Sequence, residues 1–573
     1  MAEMPTLFVR RASGLVRTVG PFTAFMICFT HTVGGGIHRL AIIAAYTHPG
    51  AFVPYSFLIT GILAMIPTAV VYTMLGAMMP RTGGDYIFIT RGLSPTLGFL
   101  ASWGFWFTEV LSYGIIAWYS IDFFVGAATA AGIATRSQGL LNAAKWMSTT
   151  QGHWVLGMIF VIVFGAIALL GMRIYGWIIN ILGIVAIIGC LSNLLILGAW
   201  GTAQMGAVKG WNTIYGSGAY EKIVNKAFEL GMKDKDLPVK PHSWGDTMKA
   251  SIGAIWAYIG IVSAVFVGGE LKTPAKSLVV AQILGTIIIM LYYIALPLLV
   301  YGVYVVPESI LAQVPGAMTY LSQHGIPTSR VYYTALYNYL MEKLGADGVA
   351  SLLGVPPDWL LPPRVVTSFT IPLVPPGLAW LQVLNGTLVG IVLLKDIPAF
   401  FVVASRMVFA WAFDRFFPET FAAVNDKFHS PHWAILLTMI GGIFGVALTA
   451  GGDWAAAADT TNLYQFAVML ACLAAAVLPY LRRDLYEKAP LRWEIAGIPL
   501  LTILGAYGFA VNFFFFYIAT HEIFYYFGEF RLGIPLHQAF WMGLGAFIFS
   551  AFLIYNTKKG VDVKTIYTEI PPA

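Results

Sequence analysis

Four ionisable side chains stand out inside long apolar stretches of the chain: Arg39, Glu109, Lys395 and Asp396. A charge at the centre of a membrane-crossing helix costs about 2.5–3.5 kcal/mol on insertion scales. Such groups turn inward, take partners and mark ion or substrate paths. Glu109, in WGFWFTEVLSYG, falls midway along its stretch. It reads as a site that gains and loses a proton, as the partner of a basic ligand group, or as half of a structural ion pair with Arg39 or Lys395. If Arg39 pairs with Asp396, Lys395 is left to Glu109. Arg39, Lys395 and Asp396 together read as an outer gate that closes over a site. The alternatives are a selector for an acidic ligand side chain and a satisfied internal pair. His31 and His38 are of the type that switches charge near neutral pH, and hydrogen-bonded packing is the plainer reading of each.

The stretch THTVGGGIHRL, Thr30 to Leu40, breaks the first apolar run with Gly34, Gly35 and Gly36. Unwound backbone at membrane depth is tolerated where it lines a cavity. The half-helix ends then offer amides to a carboxylate and carbonyls to a cation. Close helix packing through small residues is the other reading. The sixth run, IGAIWAYIGIVSAVFVGGELKTP from Ile252 to Pro274, also carries a central glycine, Gly260, and ends in Gly268-Gly269-Glu270. Two interrupted segments at matching places in two halves point to a transporter site between them.

These residues must be positioned by membrane helices. Of the 573 residues, 58% are hydrophobic and 10% charged, where a soluble domain carries roughly 25% charged. The chain reads as an all-α polytopic membrane protein embedded in the lipid bilayer. At about 20 residues per crossing, twelve spans fit, roughly 20–46, 51–79, 97–125, 153–171, 174–200, 249–269, 278–304, 378–412, 433–450, 461–480, 494–519 and 537–556. Alternate short loops are basic, with Arg81, Arg91, Arg173, Lys272, Lys276, Arg482 and Arg483 on one side. Arg10, Arg11 and Arg17 precede the first span, which is too long for a cleaved signal segment. The positive-inside rule places both termini in the cytoplasm of a multi-pass cell-membrane protein. The organisation expected is a cytoplasmic segment 1–19, a first repeat 20–200 and an extracellular loop 201–248. A second repeat 249–480 follows, with a long outer loop 305–377, then peripheral spans 481–557 and a cytoplasmic tail 558–573. Within the outer loop, RVYYTALYNYLMEKL, Arg330 to Leu344, has helical spacing.

Several functions are excluded. The net charge of +6 is modest and calls for no nucleic acid. No GxxxxGK[ST] motif occurs, so no ATP site is expected. No HExxH or paired intramembrane aspartates occur, GGDY and GGDW fall at span edges, and the chain does not read as an enzyme. Cys28, Cys190 and Cys472 sit in separate apolar runs and form no metal-ligand pattern.

Five stretches, in order, resemble the amino acid–polyamine–organocation family of permeases. They are VGGGI (Val33–Ile37), MMPRTGGDYIFITRGLSPTLGFLASW (Met78–Trp103), GGELKTP (Gly268–Pro274), SRMVFAWAFDRFFP (Ser405–Pro418) and SPHW (Ser430–Trp433). The resemblance covers about residues 20–480. It implies a LeuT-type core, a 5+5 inverted repeat with discontinuous helices 1 and 6 plus two peripheral helices. It further implies that the amides of Gly34, Gly35 and Gly36 hold a substrate carboxylate and the carbonyls of Ala257 and Ile259 its ammonium. Trp256 would cover the substrate, Phe400 would line the site, and Tyr258 and Gly260 belong to the same lining segment. Ser405 matches a position near the second sodium site of sodium-coupled relatives, and Arg406, Asp414 and Arg415 fall where the family builds its inner gate. The chain departs from the pattern at Met74, where a glutamate is common, at Ala186, where a lysine is common, at Val262, and at His38 and Arg39. The function implied is secondary transport of amino acids by alternating access, with spans one, two, six and seven rocking against three, four, eight and nine. An amino acid or amine exchanger, a polyamine or organic cation carrier, and a non-transporting solute sensor are the rivals. No cofactor or metal is expected beyond a coupling proton or sodium ion.

Overall fold

The computed structural model describes residues 13–203, 205–451, 459–525 and 529–569. Arg10, Arg11 and most of the GGDW tetrapeptide lie outside them. The architecture is helical, with one two-stranded hairpin in which Glu494–Ile495 pairs antiparallel with Ile498–Pro499. Among the described residues, eleven helices are long and apolar enough to cross a membrane. The expected span without such a helix is the first, because its glycines divide it. Its halves are α1 (Pro21–Thr32) and, after a wide π-type turn at Gly36–Leu40, α2 (Ala41–Thr47). Neither half reaches the length of about 20 residues that a crossing needs.

Local chemistry sets the helix starts. Pro21 opens α1, where its missing N–H costs nothing and its fixed φ suits the first turn. Pro95 opens α3 (Pro95–Thr135), and the Ser94 hydroxyl accepts from the Leu97 N–H at 3.4 Å. This helix is longer than the expected span 97–125 by ten residues at its far end. Ser243 caps α4 (Trp244–Tyr258) by accepting from the Asp246 N–H at 3.2 Å. Beyond Tyr258 the chain tightens into a 3-10 segment, Ile259–Phe266. The expected eighth span is two helices, α5 (Ala379–Leu394) and α6 (Asp396–Phe413), joined at Lys395.

The centre of the molecule is α3, which packs against α5, α6 and the helices His432–Ala450 and Thr461–Leu481. Helix α1 packs on the 3-10 segment, on Met172–Ile196 and on α6. Trp177, Leu195 and Phe547 stand about 70% exposed on the outer helices, which a lipid surround accommodates and water would not. Lipid offers no hydrophobic drive for helices to associate, so the interior is held by close packing and by polar contacts between helices.

One face carries the long loops, and these contain helices that the sequence pattern did not reveal. Gly206–Tyr215 and Ala219–Asp234 lie there beside the expected loop helix, which runs Tyr333–Leu353 with a kink at Gly345. The rings of Tyr220 and Tyr333 stack at 4.0 Å, and Trp211 meets Tyr333 and Tyr337 edge-on. Asp236 joins the two layers through Lys343 and through the Tyr339 hydroxyl at 2.6 Å. Desolvation works to raise the Asp236 carboxyl, but the hydrogen bonds from Lys343 and Tyr339 outweigh it and hold the group below its ordinary range. The opposite face carries the first described residues, the hairpin and the last described helix.

Candidate functional site

The break in the first helix is a crossing point. Val33 leaves helical geometry with φ −85° and ψ 82°. A Cβ at Gly36 would overlap the backbone of Ala257 on α4, and one at Gly260 would overlap the backbone at His31 and Thr32. The two interrupted segments therefore touch main chain to main chain, which glycine alone permits at this separation. The Tyr293 hydroxyl lies against the carbonyls of both Thr32 and Ala257, the latter at 2.9 Å. Ala257, expected to offer its carbonyl to a ligand ammonium, already has Tyr293 there. Ile259 opens the 3-10 segment, whose i to i+3 bonds draw on its carbonyls. Tyr258 is fully buried and turns its hydroxyl to the Phe57 carbonyl at 3.4 Å.

Lys395 and Asp396 occupy the break itself. Both are buried, and they pair with each other although they are neighbours in sequence. The Lys395 ammonium also donates to the carbonyls of Thr30 at 3.0 Å and Val33 at 2.6 Å. Those carbonyls form the C-terminal end of α1, where a helix carries partial negative charge. The Asp396 carboxylate lies against Gly34, so closely that a Cβ at Gly34 would overlap it. The expected pairings of Arg39 with Asp396 and Lys395 with Glu109 are thus replaced. The junction between α5 and α6 turns both side chains to the break.

Arg39 instead pairs with Asp122 and stacks on the Tyr119 ring, with its guanidinium 3.9 Å from the ring centre. His153 reaches the other Asp122 oxygen at 3.1 Å. Asp122 lies near the end of the expected third span, and the helix that carries it continues to Thr135. His38 is fully engaged. Its Nδ1 faces the Gly34 carbonyl at 2.9 Å, which only accepts, so Nδ1 carries the proton and Nε2 accepts from the Tyr292 hydroxyl at 2.7 Å.

Glu109 meets His31, with Oε2 3.1 Å from Nε2. Among the described residues neither Glu109 oxygen has a hydrogen-bond partner, so the approach to His31 is a close charge contact. The His31 Nδ1 meets the Ser263 hydroxyl, and that hydroxyl lies 2.7 Å from the Gly260 carbonyl. Ser263 has one proton to give. Given to Gly260, it leaves the hydroxyl oxygen to accept from a proton on His31 Nδ1. Given to His31 Nδ1, it leaves the imidazole neutral. The Phe400 ring meets the His31 ring edge-on at 4.0 Å. Trp256 donates from Nε1 to the Ser112 hydroxyl at 3.2 Å, and its ring packs on Gly35. Ser112 lies one helical turn from Glu109 on the same face of α3.

Above Trp256 a vestibule of about 530 Å³ opens between the loop-bearing helices, with Arg39, Tyr119, Ile115, Gly253 and Thr449 among its walls. Glu109 lies six residues before Ile115 on α3, about 9 Å deeper at ~1.5 Å per residue. Trp256 separates the two levels.

Toward the opposite face, ion pairs and a backbone bridge tie the helices together. Arg406 binds Glu270 in a two-pronged pair, Nε to Oε1 at 3.0 Å and Nη2 to Oε2 at 3.2 Å. Arg91 pairs with Asp414 at 2.7 Å, and the Tyr86 hydroxyl donates to the same oxygen at 3.0 Å. Val19, just before α1, exchanges backbone bonds with the end of the sixth segment: its N–H donates to the Glu270 carbonyl and its carbonyl accepts from Lys272. Arg415 lies at the margin with Glu419. Ser405 is engaged within its own helix. Its hydroxyl donates to the Phe401 carbonyl at 2.6 Å and accepts from the Arg406 guanidinium at 3.1 Å, a positive neighbour that repels a cation. Sequence motifs contained Glu270 and Arg406, but nothing in their spacing paired them.

The two interrupted helices thus cross at a buried, charged centre below the vestibule. The family model described as amino acid permease matches residues 19–328 and 363–557, and the chain belongs to that family. The unmatched interval contains the loop helix Tyr333–Leu353. Among characterised relatives, an arginine/agmatine antiporter of Chlamydia trachomatis is 23% identical over 418 residues, 72% of this chain and 67% of that protein. The arginine/ornithine antiporter ArcD2 of Lactococcus lactis is 22% identical over 299 residues, covering 49% and 53% of the two chains. The serine/threonine exchanger SteT of Bacillus subtilis is 22% identical over 283 residues, covering 49% and 54%. The protein is an amino acid permease of this family, a transporter and not an enzyme.

Proposed function

We propose that this permease is a twelve-span secondary carrier of the cell membrane, with a LeuT-type 5+5 core. It would exchange or co-transport amino acids or the amines related to them by alternating access. The observation that carries the reading is the asymmetry about one centre. A vestibule reaches down to Trp256 from the loop-bearing face, while Glu270–Arg406 and Arg91–Asp414 seal the other. The ligand then sits beneath Trp256, between the two interrupted helices, with Glu109, His31 and Phe400 around it. The loop-bearing face is extracellular in this reading and both termini are cytoplasmic.

A proton is the coupling ion best supported by the site. The Glu109–His31–Ser263 chain gives it a route to the backbone. Adding a proton to His31 turns the Ser263 hydroxyl from Nδ1 to the Gly260 carbonyl, at the interruption of the sixth segment. Charge at the site is thereby tied to the helix that must move. Uptake of labelled amino acids and amines into proteoliposomes, under an inward proton gradient, a sodium gradient, neither, or internal substrate, tests the reading. Saturable uptake or exchange of one ligand class supports it. No uptake and no exchange by folded, oriented protein overturns it.

A further inference from the structure

A free α-amino acid carries an ammonium and a carboxylate on one carbon. A broken helix is suited to both, because it offers carbonyls at one end and amides at the other. In this protein that pair of charges is already present. Lys395 lays its ammonium on the Thr30 and Val33 carbonyls, and Asp396 lays its carboxylate on Gly34. An ammonium has three protons to donate. Thr30, Val33 and Asp396 supply three acceptors, so Lys395 has no donor to spare. Both residues are buried and joined by a single peptide bond. Tethering gives such a pair an effective concentration of order mM or more. A dissolved amino acid must displace it, separating a buried ion pair, before reaching the same groups.

What the site leaves open is of one sign. Lys395 and Asp396 cancel, Arg39 is matched by Asp122, and Glu109, beside His31, has no hydrogen bond to either oxygen among the described residues, with Trp256 bonded one turn away at Ser112 and Phe400 packed on His31. A buried carboxylate without hydrogen bonds, with aromatic rings on its neighbours, suits an organic cation. From this juxtaposition we propose that Lys395 and Asp396 act as a built-in substitute for an amino acid head group, and exclude ligands with a free α-carboxylate. The preferred ligand is an amine without one, its ammonium on Glu109 under Trp256. The inference rests on the transport reading and narrows it.

The test uses the full chain in proteoliposomes and three matched pairs: arginine and agmatine, ornithine and putrescine, phenylalanine and phenethylamine. Affinity is read by competition and by direct uptake. The expected result is that, in at least one pair, the amine binds about tenfold or more tighter than its parent acid. The double variant Lys395→Met/Asp396→Ala, which removes both charges together, is expected to shift that ratio toward the acid by about tenfold. Parent acids that bind as tightly as their amines to the unaltered protein overturn the inference and leave the transport reading standing. If no member of any pair binds or enters with folded protein, both fall. Should the double variant fail to fold, the ratio in the unaltered protein decides.

Discussion

Asp396 and Lys395 stabilise each other in a place where neither is tolerable alone. Breaking a buried pair by removing one partner typically costs about 3–5 kcal/mol, whereas removing both and packing the space apolar is often close to neutral. Asp396→Ala is therefore expected to lower the thermal unfolding temperature in detergent more than Lys395→Met/Asp396→Ala does. Equal losses would show that the two residues do not act as a pair. Glu109→Gln keeps the shape of the side chain and removes its charge. It is expected to reduce proton-driven uptake to the level seen without a gradient, while the vestibule and fold persist. Proton drive that survives the change places coupling elsewhere. Each of these charges was legible in the sequence, because a charge inside an apolar run stands out. Their partners were not. Partner choice depends on how each helix is rotated and where it crosses its neighbours, and no spacing within one helix encodes that. Lys395 pairs with the very next residue because a helix junction falls between them, and a run of apolar residues on both sides conceals the junction.

At the scale of elements, the two interruptions were readable because three adjacent glycines in one helix and Gly260 in another fall at matching places in two halves of the chain. The contact they permit defines a second expectation. Gly36→Val would drive a branched side chain into the Ala257 backbone and part the crossing helices. It is expected to abolish transport and ligand binding together, measured in the same proteoliposomes, while Gly302→Ala, with open space around its Cβ position, leaves both unchanged. The loop helices Gly206–Tyr215 and Ala219–Asp234 were not readable. They are short, mix charge with aromatic residues, and gain their apolar partners from Tyr333–Leu353, far along the chain. Asp236 and Lys343 join these layers and give them a pH dependence. The Asp236 carboxyl is held low, so its contribution is present at neutral pH and is lost as pH falls through that lowered value. Lys343 is held above its ordinary range, chiefly by its hydrogen bond to Asp236, so its contribution is present at neutral pH and lost only as pH rises through that raised value. Spin labels on Glu229 and Glu342 are expected to report a fixed distance near neutrality that broadens in acid. Asp236→Asn is expected to broaden it at every pH. A distance insensitive to both changes would show that the aromatic stack alone holds the layers.

For the whole molecule, the decisive feature is that one face is open to Trp256 while the other is held by buried charge pairs and by the Val19 backbone bridge. A carrier must be able to exchange these conditions, and the energy separating them resides largely in what seals the closed face. The Glu270–Arg406 pair is buried and two-pronged, the geometry in which a guanidinium binds a carboxylate most strongly. Glu270→Gln removes the charge and leaves Arg406 buried without its anion, a change of about 3–5 kcal/mol against the state that buries it. Opening the sealed face lets water reach Arg406, so the population shifts toward that opened state. Vestibule access then reports the shift. Gly253 lines the vestibule, and a Cβ there meets only the Leu40 side chain at ordinary contact distance, so Gly253→Cys is tolerated. Cys28, Cys190 and Cys472 are all buried, which keeps background labelling low. A membrane-impermeant thiol reagent added from the loop-bearing side is expected to label Gly253→Cys readily. Adding Glu270→Gln is expected to slow that labelling several-fold, since a shift worth ~1.4 kcal/mol already changes a population ratio tenfold. Labelling that is unchanged, in protein that still folds, would mean that the Arg91–Asp414 pair and the Val19 bridge suffice to hold the face closed, and that Glu270 and Arg406 serve the fold and not the cycle.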